Sequence, residues 1–262
     1  MTGTEEKEDN VQLQLGVGPW IVLIVGALLI GLSKTGISGI GIFAVALFAL
    51  VLPARESVGA VLPILISADL VAVTAYRRHA VWKHLWPLFP WAAAGIILGY
   101  FAIGRINDRQ VALLVGVILI VLVVLQWLRM RRGQAAGGTA DPDVPTSLPF
   151  VAAVGMLAGF TTMVANAAGP IMILYLLAMR LPKMEFIGTG AWYFLLLNLF
   201  KVPFSLQLGL ISSSSLALDL RLFPLAILGA IGGRALIPYI NQQLFEGLAL
   251  IFTVIAAVKL LV

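Results

Sequence analysis

Long, continuous apolar runs constrain this chain more than any other feature. The run from Val111 to Leu128 contains no charged residue, and it approaches the roughly 20 residues that a helix needs to cross a bilayer. Apolar residues make up 61% of the chain and charged residues 11%, whereas soluble domains carry about 25% charged residues. Strands of a membrane barrel would alternate apolar and polar positions. The sequence therefore predicts an all-α polytopic membrane protein, because lipid leaves every backbone polar group to be satisfied within the helix.

Ten apolar segments follow one another along the chain. They cover roughly 18–32, 40–52, 58–76, 85–103 and 110–128 in the first half, and 148–160, 168–180, 186–206, 217–237 and 244–262 in the second. The first, second, sixth and seventh hold only about 12–15 residues, which is short for a full crossing. We expect these four to be half-helices or re-entrant segments, and the other three of each half to be long helices.

A polar, glycine-bearing stretch interrupts the short segments at corresponding places in the two halves. It reads GLSKTGISG over 31–39 and GFTTMVANA over 159–167. Further residues match in the same order along the two halves: Gly31 with Gly159, Glu56 with Glu185, Gly59 with Gly188, Asp69 with Asn198, Gly95 with Gly229 and Asn107 with Asn241. This predicts two five-segment repeats, and an odd number of segments inverts the second relative to the first. Interrupted helices in corresponding halves are typical of secondary transporters.

The predicted organisation has four parts. A disordered acidic tail over 1–14 precedes the first membrane repeat over 15–132, and a flexible linker over 133–146 leads to the inverted repeat over 147–262. If the chain alternates sides, nine basic residues fall on one side: Arg77, Arg78, Lys83, Arg129, Arg131, Arg132, Arg180, Lys183 and Arg234. The other side holds five, so the richer side and the linker are predicted to be cytoplasmic and both termini extracytoplasmic.

Lys34 is the sharpest candidate for a binding residue. It lies in the first polar stretch with apolar sequence on both sides, and a lysine at membrane depth is costly unless it is paired, hydrated or able to reach the interface. We interpret the stretch as an anion site, in which Ser33, Lys34, Thr35, Gly36, Ser38 and Gly39 bind a ligand with the help of the next helix N-terminus. The alternative is a lysine that reaches the headgroups and binds nothing.

The second half offers a matching polar set, Thr161, Thr162, Asn166 and Gly169, whose alternative role is helix capping and interhelical hydrogen bonding. Asp69 lies inside the third segment. A carboxylate there suits proton coupling or gating, together with Asn198 and Lys201 of the eighth segment. The alternative is a structural salt bridge between Asp69 and Lys201.

Several classes of function lack any support in the sequence. The chain has no cysteine, two histidines and no G-x-x-x-x-G-K-[ST], H-E-x-x-H or G-x-S-x-G motif, so we predict no enzyme activity, metal site or cofactor. Nucleic-acid binding is not expected, because most of the basic residues lie on the predicted cytoplasmic side and are explained by the orientation of the chain in the membrane. The expected partners are a small anion, membrane lipids and protons as a coupling ion.

The sequence resembles the sulfite exporter TauE/SafE family over nearly all of the chain after residue 15. The resemblance rests on the 31–39 stretch, on Asp69 through His79, on Val81–Lys83, and on Gly95, Asn198, Lys201, Gly229 and Arg234 with their spacing. It implies an inner-membrane permease that exports small sulfur-containing anions such as sulfite or sulfoacetate, whereas the residues by themselves indicate only a small anion. Two alternatives stay open: an exporter of uncharged metabolites or drugs with a five-plus-five repeat, and a membrane subunit that transports nothing.

Overall fold

A computed structural model describes residues 16–103 and 147–261, with positions 105, 109, 110, 113, 117, 120 and 124 between them. Its elements are helices, which we number in chain order. They are α1 (Val17–Thr35), α2 (Gly41–Val51), α3 (Ala54–Tyr76), α4 (Trp82–Leu85), α5 (Phe89–Ala102), α6 (Leu148–Ala165), α7 (Ala168–Ala178), α8 (Lys183–Gln207), α9 (Ser213–Leu236) and α10 (Gln242–Leu261). Short 3-10 turns follow α3 at Arg77–His79 and α9 at Ile237–Tyr239. The all-helical prediction is confirmed for this part of the chain.

Among the described residues, four stretches are long and apolar enough to cross a membrane: Val17–Thr35, Glu56–His79, Leu148–Ala165 and Ser213–Tyr239. The prediction of short segments is right for α2 and α7, which have 11 residues each and therefore span only about 16 Å. It is wrong for the first and sixth segments, because α1 has 19 residues and α6 has 18. These two helices continue through serine, threonine and lysine, which keep helical geometry when their side chains find partners in the bundle.

Two further expectations need separate statements. The fourth segment, expected as a long helix over 85–103, is the 14-residue helix α5, preceded by the single turn α4. The Pro87–Pro90 region delays the helix, since proline fits only its first turn. The N-terminal tail, the linker and nearly all of the fifth segment, including Asn107, lie outside the described residues.

The most extensive helix contacts are reciprocal between the two halves of the chain. Helix α1 packs along α9, and α5 packs along α6, so the first segment of each half lies against the fourth segment of the other. Both contacts are close: a Cβ at Gly31 would lie 1.9 Å from the Ala226 carbonyl oxygen, and one at Gly159 would lie 2.0 Å from that of Ala92. Only glycine allows these backbones to approach, as in membrane helix packing generally.

The third helices of the two halves, α3 and α8, pack against each other. Asp69 and Asn198, which match in the sequence alignment of the halves, are hydrogen-bonded to each other between these helices. Large apolar side chains such as Leu50 and Leu220 are each 75% exposed, as suits a surface that faces lipid. The α3–α8 pair thus brings the polar residues of both halves into one interior.

Candidate functional site

Two interruptions of the helices form the core of the candidate site. The first break, residues 36–40, separates α1 from α2, and the second break, residues 166–167, separates α6 from α7. Gly39 has φ +100° and Asn166 has φ 51°, a left-handed conformation that glycine and asparagine accept more readily than other residues. Pro170 follows in the first turn of α7, where its missing N–H costs no helical bond.

A cavity of about 90 Å³ lies between the two breaks. From the first half it is lined by Ser33, Lys34, Ser38 and Gly39, and from the second by Thr162, Asn166, Gly169 and Asn198. Helices α2 and α7 begin at this cavity, with Gly41 and Gly169 in its wall. Their N-cap residues are Ile40 and Ala167, whose side chains cannot cap the first backbone N–H groups. The structure therefore brings together the polar stretches that the sequence placed 128 residues apart.

Lys34 contributes the ammonium group at the cavity wall. Its Nζ lies 2.8 Å from Asp69 Oδ1 and 4.2 Å from the centre of the Phe194 ring. The Lys34 side chain is 11% exposed, whereas Asp69 is fully buried behind it. Among the described residues, Lys34 is the only charged side chain that lines this cavity. The ammonium thus contacts Asp69 and Phe194, and its three N–H groups allow further hydrogen bonds to a ligand in the cavity.

Asp69 is the buried counter-ion of Lys34. Its Oδ2 accepts a hydrogen bond of 2.7 Å from Asn198 Nδ2, so a cation and an amide donor hold both oxygens. The sequence-based alternative of a salt bridge with Lys201 is wrong in its partner, because the ion pair joins Asp69 to Lys34. A carboxylate that is buried in a membrane helix requires such partners to remain in place.

Lys201 lies beside the second break rather than in the cavity wall. Its side chain is fully buried, and Nζ donates to the Thr162 carbonyl oxygen at 2.9 Å and to Asn166 Oδ1. Asn166 Nδ2 in turn donates to the Val58 carbonyl oxygen on α3 at 2.9 Å. Lysine contacts to the last carbonyls of a helix offset the negative end of the helix dipole. Lys201 therefore joins α8 to the end of α6.

Three predicted binding residues do not line the cavity. Thr35 Oγ1 donates to the Ala230 carbonyl oxygen at 2.5 Å, and Gly36 packs against Gly233 of α9. Thr161 Oγ1 donates to the Leu157 carbonyl oxygen at 2.8 Å within its own helix. Helix α1 extends to Thr35 and α6 to Ala165. Successive side chains of a helix point about 100° apart, so a neighbour of a cavity-lining residue points away from the cavity. Thr35 and Gly36 thus contact α9, whereas the Thr161 hydroxyl is bonded within α6.

The sequence reasoning missed two aromatic residues at the site. Phe194 provides the ring under Lys34, and Tyr76 donates its hydroxyl to the Thr35 carbonyl oxygen at 3.0 Å, at the start of the first break. Both had a signal in the sequence. Phe194, Asn198 and Lys201 follow the spacing i, i+4, i+7 of one helix face, and Tyr76 lies seven residues after Asp69.

The electrostatics of this interior favour an anion. Two ammonium groups and one carboxylate leave a formal charge of +1, and the positive ends of the α2 and α7 dipoles add to it at the cavity. The rest of the wall is apolar, with Met172, Ile187 and Phe194 among its members. Water-poor surroundings strengthen such interactions with a charged ligand. The arrangement suits the binding of a small anion.

Comparison with known proteins bears on the same residues. The family model described as Sulfite exporter TauE/SafE matches residues 23–260 of the chain, so the match includes both breaks, the Lys34–Asp69 pair and the reciprocal helix contacts. No curated protein and no solved structure matches the chain. The resemblance that the sequence motifs indicated is thereby confirmed. With its apolar spanning helices and its cavity between two helix breaks, the chain belongs to the sulfite exporter TauE/SafE family, a family of membrane transporters.

Proposed function

We propose that the protein is a secondary-active transporter that binds one small anion in the cavity between the two breaks. The observation that carries the proposal is the position of Lys34: its ammonium lines the cavity while Asp69 holds it from the buried side. Ser33, Ser38 and Thr162 offer hydroxyl groups around it. The first backbone N–H groups of α2 and α7 favour a negatively charged ligand, as they do at any helix N-terminus.

Sulfite and organosulfonates such as sulfoacetate are the proposed substrates, and export the proposed direction. Membership of the family supports a sulfur-containing anion. The cavity supports a small one, because roughly 10–15 Å³ of such volume holds one water and 90 Å³ has room for several water-sized groups. A sulfonate or sulfite group carries three oxygens that can accept from Lys34, from hydroxyls and from helix N–H groups at once.

The proposed mechanism is alternating access around a site at the bilayer midplane. The reciprocal α1–α9 and α5–α6 contacts support two inverted repeats, and so does the direct Asp69–Asn198 hydrogen bond, as equivalent residues meet at a two-fold axis. Helices that are interrupted at the substrate site are the common design of such transporters. Rocking of one half against the other would expose the cavity to the two sides in turn.

Asp69, with Asn198 and Lys201 around it, is the proposed place of proton coupling. A proton on Asp69 would remove the negative charge that neutralises Lys34, and the cavity would then attract an anion more strongly. By linkage, the anion would raise the affinity of Asp69 for the proton by the same factor.

The proposed location is the plasma (inner) membrane, with the linker in the cytoplasm and both termini outside. Clusters of arginine and lysine at 77–84 and 129–132 support this orientation. The chain contains no cysteine, so single cysteines can be introduced at residues 3, 79 and 137. An impermeant maleimide added to whole cells should label residue 3 and leave residues 79 and 137 unlabelled. Labelling of residue 137 would reverse the orientation.

Flux into proteoliposomes tests the function. The purified protein should accelerate the uptake of sulfite and sulfoacetate, and this uptake should respond to an imposed pH gradient. A panel of carboxylates and of neutral solutes of similar size serves as the control. Transport of neutral solutes in preference to anions would favour an exporter of uncharged metabolites, and the absence of flux for every solute would favour a membrane subunit without transport activity.

A further inference from the structure

The buried ammonium of Lys201 has an unusual set of partners. Its Nζ contacts the Thr162 carbonyl oxygen at 2.9 Å and Asn166 Oδ1, and both are neutral oxygens. Within the described part of the chain, the ion pair of the interior joins Lys34 to Asp69 and does not include Lys201. A lysine with no exposed surface thus has its charge balanced by oxygen dipoles rather than by a contacting carboxylate.

The two oxygens are held in position by the fold. The Thr162 carbonyl belongs to the last turn of α6, whose C-terminal carbonyls carry the negative end of the helix dipole. Asn166 cannot easily turn its oxygen away, because its amide nitrogen donates to the Val58 carbonyl oxygen on α3. Asn166 also ends α6 in a left-handed conformation, with φ 51°. The oxygens therefore form a preorganised cradle for one positive charge.

Carbonyl oxygens at the ends of interrupted helices are the ligands that membrane transporters offer to monovalent cations, and rings of such oxygens replace the water around an ion. We propose that Thr162 O and Asn166 Oδ1 belong to a monovalent-cation site, which the ammonium group of Lys201 occupies in place of free sodium, potassium or ammonium. Because the cation belongs to the side chain of an α8 residue, the two oxygens at the second break keep a positively charged partner without an ion from solution.

This site adjoins the anion cavity: Lys201 does not line the cavity, whereas Thr162 and Asn166 do. The proposal concerns the cation that these two oxygens hold, so it makes a statement about the protein even if the substrate proposed above is wrong. Removal of the lysine side chain should turn a protein that is indifferent to monovalent cations into one that depends on them.

The first test uses thermal unfolding and needs no substrate. Lys201→Ala and Lys201→Met are purified in detergent and melted in sodium, potassium, ammonium or choline chloride at constant ionic strength. The alanine variant opens the cradle, whereas methionine fills much of the space of the lysine stem without a charge. We expect a saturable rise in the Tm of Lys201→Ala with a small cation and none with choline. The Tm of the wild type should not depend on the salt, and neither should the Tm of Lys201→Met.

The second test measures flux and rests on the proposed transport function. Wild-type flux of sulfite should be equal in sodium and in choline. Flux through Lys201→Ala should fall at least about tenfold in choline, as expected for a buried charge-assisted interaction of at least 1.5 kcal/mol, and should recover with a small cation. A failure of all sulfite flux would count against the substrate, while the melting result would still decide the cation site.

Two results would overturn the proposal. One is a Lys201→Ala variant whose Tm is the same in choline as in every small-cation salt. The other concerns a variant too unstable to purify in choline: purification is then repeated in each of the other salts, and no recovery of folded protein in any of them would refute a cation site. Recovery in one small-cation salt, with none in choline, would support it.

Discussion

The two helix breaks use a lysine in opposite ways. At the first break Lys34 belongs to the interrupted helix itself, pairs with a carboxylate, and keeps an exposed face toward the cavity. At the second break Lys201 comes from a neighbouring helix, contacts neutral oxygens, and is fully buried. The first lysine retains hydrogen-bonding capacity for a ligand, whereas the second has its charge committed to the protein. The two breaks match in the sequence repeats, yet the lysine beside each break comes from a different helix and has different partners.

The lengths of the breaks match this division. The first break has five residues and contains Gly39 with φ +100°, whereas the second has two residues and turns at Asn166. The second is tied to α3 through Val58 and to α8 through Lys201. The first is tied at its start, where Tyr76 donates to the Thr35 carbonyl oxygen. We therefore expect the first break to determine ligand binding and the second to determine stability.

The largest expected effect is that of Lys34→Gln. It removes the cavity's charge, so sulfite binding should weaken by more than about tenfold, the range for hydrogen bonds to charged groups. It also leaves Asp69 buried and unpaired, which costs about 3–5 kcal/mol of stability. The double variant Lys34→Gln/Asp69→Asn removes both charges and should regain much of the lost Tm without regaining binding. Wild-type sulfite affinity in the double variant, measured by calorimetry, would show that Lys34 does not bind the anion.

The next effect is that of Asp69→Asn on coupling. The substitution keeps the shape of the side chain and leaves Lys34 charged, so sulfite counterflow between the two sides of a liposome should continue. The response to a pH gradient should disappear, because the proposed proton site is gone. Unchanged proton-driven uptake would remove Asp69 from the coupling mechanism. Loss of folded protein, seen by size-exclusion chromatography, would assign the residue to structure alone.

Helix packing should respond equally in the two halves. Gly31→Ala would place a methyl group 1.9 Å from an opposing carbonyl oxygen, and Gly159→Ala would place one at nearly the same distance, 2.0 Å. Each should therefore cost roughly 1–3 kcal/mol, as overpacking does, and lower the Tm by similar amounts. Gly232→Ala is the matched control, since a Cβ there meets nothing within 4 Å. Very different losses for Gly31 and Gly159 would argue against equivalent roles for the α1–α9 and α5–α6 contacts.

The smallest effect should come from a single hydroxyl in the cavity. Ser38→Ala removes one neutral hydrogen bond to the ligand and should weaken sulfite binding about fivefold, since such a bond contributes about 1 kcal/mol. Ser33→Ala should change the affinity less, because the Ser33 hydroxyl already donates to the Ile30 carbonyl oxygen at 2.7 Å. Calorimetric affinities of both variants decide the matter. A larger loss for Ser33→Ala than for Ser38→Ala would reverse this ranking.

Much of the candidate site could be predicted from residue type and position in the chain. A lysine and several hydroxyl groups are unusual in an otherwise apolar stretch of a membrane protein unless they have a role there. The sequence therefore singled out Lys34, Ser38 and Thr162. Thr35 and Thr161 stood out for the same reason, yet Thr35 bonds to a backbone carbonyl of α9 and Thr161 to one of its own helix. Polarity identifies a break, but the direction of each side chain depends on where the helix ends. A difference of a few residues in that end rotates a side chain away from the cavity.

The sequence by itself determined the class of protein and the helical content, because lipid leaves a spanning chain few choices of backbone structure. Only the tertiary structure decided which charges meet. Lys34 and Asp69 lie 35 positions apart on different helices, and Lys201 is near Asp69 in the repeat alignment but contacts Thr162 and Asn166 instead. Ion pairing acts over a few ångströms. Whether two charges come that close depends on how the helices cross, and glycines far from the charges allow those crossings.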